Sequence, residues 1–383
     1  METHIYIGAD IVPTRSNYAL FRNGDIKQLL GTELMRYMKT SDFTILNLET
    51  PLIDKKFEIE KCGPCFITPI NTVAGLKAIN PFFYTLANNH ILDQGAVGLK
   101  STIQVLRDNN IDFSGVGNNL DEAKCCYIKE INGIKLGIYC CVEHEFSIAG
   151  INKPGANPFD PFYSFDHIVE LKKKVNLVIV LYHGGKEQYR YPSPELKKVF
   201  HKFAEVGADY VIAQHSHCIG CMEKYNGSVL IYGQGNFIFD SSNHEYWQTS
   251  ILLKINVFDN MQHNLDIIPC VKQDNVIRKA TDSEGREILK GFFERSQDIL
   301  DNQFIEKKYT ELAEETRHEY YYRLLGKVGK LFIFKVINKL THSKIMDNIY
   351  TETYLPLIEN CFACESHREL VTHITRLRKV DNK

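Results

Sequence analysis

The sequence predicts an α/β domain over residues 1–274 followed by a helical region over 275–383. Three observations carry that reading. Short β-rich runs alternate with segments of helical spacing up to about residue 270, which is the pattern of strands laid into a sheet and covered by helices. From about residue 275 charged helix formers take over and strand signals fade. Polar residues able to bind a metal or move a proton recur at strand ends, where an open α/β sheet places its ligands.

The elements follow in order. HIYIGAD (4–10) and FTILNLE (43–49) are apolar runs of strand length, and DIKQLLGTELMRYMKTS between them has helical spacing. PFFYTLANNH (81–90) reads as a strand entering a polar loop, and GLKSTIQVLRDNN (98–110) as a helix with Ile103, Val105 and Leu106 near one face. YIKEINGIKLGIYCC (127–141) is a hairpin turning at Asn132-Gly133, a pair suited to positive φ. NLVIVLYHGG (176–185) is a strand, PELKKVFHKFAEVG (194–207) a helix, and ADYVIAQH a strand. SVLIYGQGNFIFD (228–240) and TSILLKINVF (249–258) read as further strands.

Composition narrows the class. The 383 residues are 44% hydrophobic and carry a net charge of −2, which argues against general nucleic-acid binding. METHIYIGAD lacks the basic and apolar regions of a secretory signal, and no stretch approaches the roughly 18 apolar residues of a membrane span. The expectation is a soluble, cytoplasmic protein. Eleven cysteines at scattered positions form no disulfide framework and read as free thiols. CGPC (62–65) has the form of a redox motif, but the helical pattern starts only near Asn71, so a loop is the better reading. Cys218 and Cys221 could pair with Cys62 and Cys65 in a zinc knot, the less favoured alternative.

The strand ends supply the candidate site. Asp10 closes the first strand, and Asn47 and Glu49 close the second. Asn88, Asn89, His90 and Asp93 follow the third, His183 ends NLVIVLYH, His215 and His217 follow DYVIA, and Asn236 follows LIYGQG. Carboxylate, imidazole and amide oxygen together suit a divalent transition metal, Zn, Mn or Fe, rather than Ca or Mg. A His-X-His in an extended segment projects both rings to a similar side, so two ions roughly 3.5–4 Å apart could each take one, with Glu49 bridging. Such a pair lowers the pKa of bound water toward about 7. Asp93 either orients His90 or caps the next helix, and Glu187 either supports His183 or is a solvated acid. His144 and Arg190, on rim loops, are candidate contacts to an anionic substrate, as are Asn47, Asn88, Glu187 and Asn236.

In order and spacing, GAD (8–10), NLETPL (47–52), LANNHILDQG (86–95), LYHGGKEQYRYPSP (181–194), GADYVIAQHSH (207–217) and YGQGNFIFD (232–240) resemble the CapA-type capsule synthesis proteins, named for poly-γ-glutamate. Those proteins share the calcineurin-like metallophosphoesterase fold. The resemblance implies a four-layer α/β/β/α sandwich with two metals at its rim. It implies that Asp10 and His217 bind the first ion, that Glu49 bridges, and that Asn89, His183 and His215 bind the second. It makes His90 the general acid on the leaving group, with Asp93 beside it. The chain departs from the phosphoesterase pattern at Asp10-Ile11-Val12, where Asp-X-His is usual, which leaves the first ion one ligand short.

The functional expectation is a metal-dependent hydrolase of phosphoester or related anionic ester or amide bonds. The alternative is a non-catalytic component of capsule polymer synthesis that binds a polyanion at the same rim. The partners expected are an anionic small molecule or polymer, and no nucleic acid. Between Tyr320 and Lys344 there are six Lys or Arg and no Asp or Glu, interleaved with Leu, Phe, Ile and Val. That block (320–344) reads as a packed helix with a solvated basic face or, alternatively, as a peripheral membrane contact.

Overall fold

The structure is a computed structural model that describes residues 2–80 and 82–380, with side chains through residue 375. Pro81, at the head of one expected strand, and the last three residues of the helical region lie outside the described residues. The chain divides into two units, Met1–Glu306 and Lys307–Lys383.

The first unit is built on two sheets. In chain order the strands are β1 (Thr3–Val12), β2 (Phe43–Leu48), β3 (Phe83–Thr85), β4 (Asp112–Ser114), β5 (Val116–Gly117), β6 (Tyr127–Ile131), β7 (Ile134–Val142), β8 (Gly155–Ala156), β9 (Leu177–His183), β10 (Tyr210–Gln214), β11 (Met222–Tyr225), β12 (Ser228–Ile231), β13 (Asn236–Phe239), β14 (Thr249–Val257), β15 (His263–Gln273) and β16 (Val276–Lys279). One sheet runs β16-β15-β14-β1-β2-β3-β4, and β13 also pairs with β1. The other runs β11-β12-β10-β9-β7-β6, while β5 and β8 form a small ribbon.

Three buried clusters define four layers. Ile5, Ile7, Phe43, Ile45 and Phe83 of the first sheet meet Leu136, Ile138, Ile179, Leu181 and Ile212 of the second, so the sheets face each other across one core. Tyr6, Leu46 and Tyr84 point the other way, onto Leu29, Leu34, Leu76 and Leu99 of the outer helices. Tyr139, Val178, Val180 and Val211 do the same on the far side, against Ile168, Leu171, Phe200 and Phe203. Alternate residues of each strand thus feed different cores, which is why these strands read as unbroken apolar runs. This is the α/β/β/α sandwich expected from the resemblance.

Three sequence expectations change. Strand structure persists to Lys279, and the helix Asp282–Asp298 belongs to the first unit, so the division falls at 306 rather than at 274. Phe292, Ile299 and Ile305 are buried in its cores, and apolar anchors of that spacing are diluted by the surrounding charges in the sequence. The segment 228–240 is two strands in different sheets, because Gly233 and Gly235 take φ of 138° and 75° and turn the chain between them. The His-X-His segment is not extended: β10 stops at Gln214, and His215 and His217 have φ of 97° and 53°.

Candidate metal and acid–base site

Parallel pairing aligns the strand ends. β1 lies between β2 and β13, with Asp10 opposite both Asn47 and Asn236. In the second sheet Gln214 of β10 pairs with His183 of β9. Asp10, Asn47, Glu49, Asn89, His90, His183, His215, His217 and Asn236 are all buried. Positive φ at a residue with a Cβ is uncommon and stores strain, and here it falls at both histidines of one loop.

Asn47 is the hub. Its Nδ2 donates to Asp10 Oδ1 at 2.7 Å and to His183 Nδ1 at 3.1 Å, and its Oδ1 accepts from Asn88 Nδ2 at 3.0 Å. With His183 Nδ1 accepting, Nε2 faces Asn89 Oδ1 at 3.0 Å and Glu49 Oε1 at 3.3 Å. Asn88 is spent likewise, donating to Leu48 O at 2.8 Å and accepting from His90 N at 3.2 Å. Asn47 and Asn88, expected as substrate contacts, are therefore scaffold: fully buried, with their amides committed to protein partners.

Ligand atoms of Glu49, His215 and His217 lie within 4.8 Å of one another. The His183 and His215 rings are 4.8 Å apart and those of His215 and His217 5.8 Å. His217 Nδ1 sits 2.9 Å from Asn236 Oδ1 and 3.7 Å from Asp10 Oδ2, which also accepts from His215 N at 3.3 Å. Asn236 thus positions a histidine. Glu187 is half-exposed, 3.9 Å from His215 Nε2. His144 is exposed on the loop after β7, and Arg190 lies over the Tyr246 ring at 4.1 Å.

The cluster fits a cation. Both Glu49 oxygens, His215 Nδ1 and Asn236 Nδ2 are buried without a hydrogen-bond partner. Burial pushes Glu49 up to about 8, against the pull of His90. Burial, then the charge of Glu49, pushes Asp10 up to about 8 as well. Burial holds His183 and His215 neutral, well below the ordinary imidazole range. Two desolvated carboxylates beside neutral imidazoles are what a divalent ion compensates, and neutral nitrogen with carboxylate oxygen is the donor set of Zn, Mn or Fe.

Beside this cluster stands a second one. His90 Nδ1 contacts Asp93 Oδ2 at 2.6 Å, and Asp93 Oδ2 also accepts from Phe66 N at 2.6 Å. The other oxygen, Asp93 Oδ1, meets the Lys61 ammonium in an ion-pair contact rather than a well-directed hydrogen bond. Lys61 Nζ is also 3.1 Å from His90 Nδ1, and Phe66 stacks on the His90 ring at 4.0 Å. Asp93 thus orients His90 rather than capping the next helix, whose N-cap is Gln94. Lys61 and Phe66 were not expected in the site. They flank CGPC, whose loop is pinned to the His90–Gln94 turn by Gln94 contacts to Phe57 N and Phe66 O. All cysteines are free, and among the described residues the group of side chains close enough to share an ion is Glu49, His215 and His217, with no cysteine in it, so the geometry does not support the zinc knot.

Two facing sheets with helices outside both, and a buried carboxylate–imidazole cluster at the strand ends, define an α/β/β/α sandwich protein. Within that class, residues 4–241 match the family described as bacterial capsule synthesis protein PGA_cap, and the chain belongs to it. It is 28% identical over 257 residues to the capsule biosynthesis protein CapA of Bacillus anthracis, covering 64% of this chain and 62% of that one. It is 30% identical over 213 residues to the PGA biosynthesis protein CapA of Bacillus subtilis strain 168, covering 53% and 54%. The chain thus spans just over half to three-fifths of these relatives. Solved structures superpose loosely. A novel phosphatase from Mycoplasma pneumoniae has a TM-score of 0.46 at 16% identity, covering 72% of this chain and 95% of that one. A 5'-nucleotidase precursor from Thermus thermophilus has 0.45 at 13%, covering 77% and 59%.

Proposed function

We propose that this capsule-family chain is a metal-dependent hydrolase of a phosphoester or related anionic ester or amide. The observation that carries the reading is Glu49, a fully buried carboxylate whose oxygens accept no hydrogen bond, with His183 Nε2 3.3 Å from one of them, His215 and His217 close by, and the His90–Asp93–Lys61 group near enough to act on its charge. Glu49, Asp10, Asn89, His183, His215 and His217 would hold one or two divalent ions. Such ions supply Lewis-acid stabilisation of charge developing on a phosphoryl or acyl oxygen.

The chain's own residues do the rest. Asn47 holds Asp10 and His183 in place through both amide hydrogens. Asp93 commits His90 Nδ1, which leaves Nε2 as the ring atom that can give a proton to a leaving group. The stacked Phe66 and the buried setting keep bulk water from competing for that proton.

The test is element analysis of the full chain, followed by chelation, reloading with Zn, Mn or Fe, and assay on aryl phosphoesters. The expected result is hydrolysis that disappears on chelation, returns on reloading and is absent from Glu49→Gln, which also loses metal. A chain that takes up no transition metal, hydrolyses nothing after loading and still retains polyanions overturns the proposal in favour of a binding role.

A further inference from the structure

The second unit carries a helix built inside out. Phe332–Leu340 presents Phe332, Ile333, Val336, Ile337 and Leu340 along one face, at the i, i+1, i+4, i+5 and i+8 positions. That face is bare: Phe332 is 82% exposed and Leu340 75%. The opposite face holds the polar residue. Asn338 is 2% exposed, donates from Nδ2 to Tyr322 Oη at 2.8 Å and accepts from Met346 N at 3.0 Å. Phe334 packs edge-on against Tyr322 on that same inner side. A helix that spends its hydrogen-bonding amide inside and its large apolar residues outside is not arranged for water on its outer face.

The charge around the face has one sign. Lys335 and Lys339 flank it on the helix, Lys327 and Lys330 precede it and Lys344 follows, while no Asp or Glu occurs from 320 to 344. Lys335 lies over the Tyr322 ring at 5.5 Å, at the border between the inner and outer faces. Val328 and Leu331 extend the exposed apolar surface toward the preceding lysines. Apolar side chains ringed by long cationic stems match a surface that is apolar below and negative above. Among the described residues no helix is long and apolar enough to cross a membrane.

We propose that residues 327–344 dock on the surface of an anionic phospholipid bilayer, with Phe332, Ile333, Val336, Ile337 and Leu340 entering the acyl boundary and the lysines meeting the headgroups. The single sign of charge selects this occupant over a second copy of the chain, whose identical face would set lysines against lysines.

The experiment is cosedimentation of the full chain with phosphatidylglycerol–phosphatidylcholine vesicles, against pure phosphatidylcholine vesicles, at low and high salt. The expected result is binding to the anionic vesicles alone, weakened by salt. Replacing Lys327, Lys330 and Lys339 by Gln should lower the partition coefficient about a hundredfold, at roughly fivefold per lysine. A Phe332→Ser, Ile333→Ser, Leu340→Ser protein should no longer sediment while keeping the parental helicity and unfolding midpoint, since these side chains are exposed. Absence of binding to anionic vesicles, equal binding to neutral ones, or self-association that the serine substitutions abolish would each overturn the proposal.

Discussion

Lys61 provides the sharpest test of the site's construction. Its side chain is 2% exposed and that of Asp93 0%, so the pair is an ion pair cut off from water. Lys61→Met keeps most of the stem's packing but strands the Asp93 carboxylate, leaving it only His90 Nδ1 and Phe66 N. Breaking a buried pair from one side costs roughly 3–5 kcal/mol, because the remaining charge is desolvated without its partner. For a unit of this size, at roughly 2 °C per kcal/mol, the unfolding midpoint should drop by about 6–10 °C. The assay is thermal and denaturant unfolding of Lys61→Met, Asp93→Asn and the double variant. The double variant should lose less than the sum of the two, since it removes both charges together. A Lys61→Met protein within about 0.5 kcal/mol of the parent, the range of ordinary surface changes, refutes the reasoning.

Two further outcomes are expected. His90→Asn should leave metal content intact and cut turnover roughly 10²–10⁴-fold on substrates with poor leaving groups, while sparing very good ones; loss of metal from this variant would make His90 a ligand instead. Metal-free protein should lose stability as pH rises from about 6.5 to about 8, the window in which folded Asp10 and Glu49 hold protons that the unfolded chain has released. Below about 6.5 the buried neutral His183 and His215 act in the opposite sense, because the unfolded chain protonates them first, so the slope flattens there. Saturating metal should abolish the slope above 6.5, and denaturant titrations with and without metal decide it.

Much of this protein is determined locally. Short, β-branched apolar runs such as NLVIVLY read as strands buried on both faces, and Asn132-Gly133 turns its hairpin with φ of 50° and 81°. The polar residues that end those runs, from Asp10 to His217, come together because parallel strands bring their carboxyl ends to one rim. Tertiary structure decided what has no local signal. Whether an amide such as Asn47 meets substrate or ties Asp10 to His183 depends on three strands arriving at once. Lys61 sits far from the strand ends in sequence, in a loop that looks like a redox motif, and reaches His90 only because Gln94 and Asp93 clamp that loop. The backbone of His215 and His217 takes positive φ, which histidine tolerates better than most side chains but which a run of apolar residues does not announce. Pattern reports which face of an element is apolar; only the assembled fold sets which buried carboxylate is hydrogen-bonded, like Asp93, and which, like Glu49, accepts no hydrogen bond from the protein's own groups.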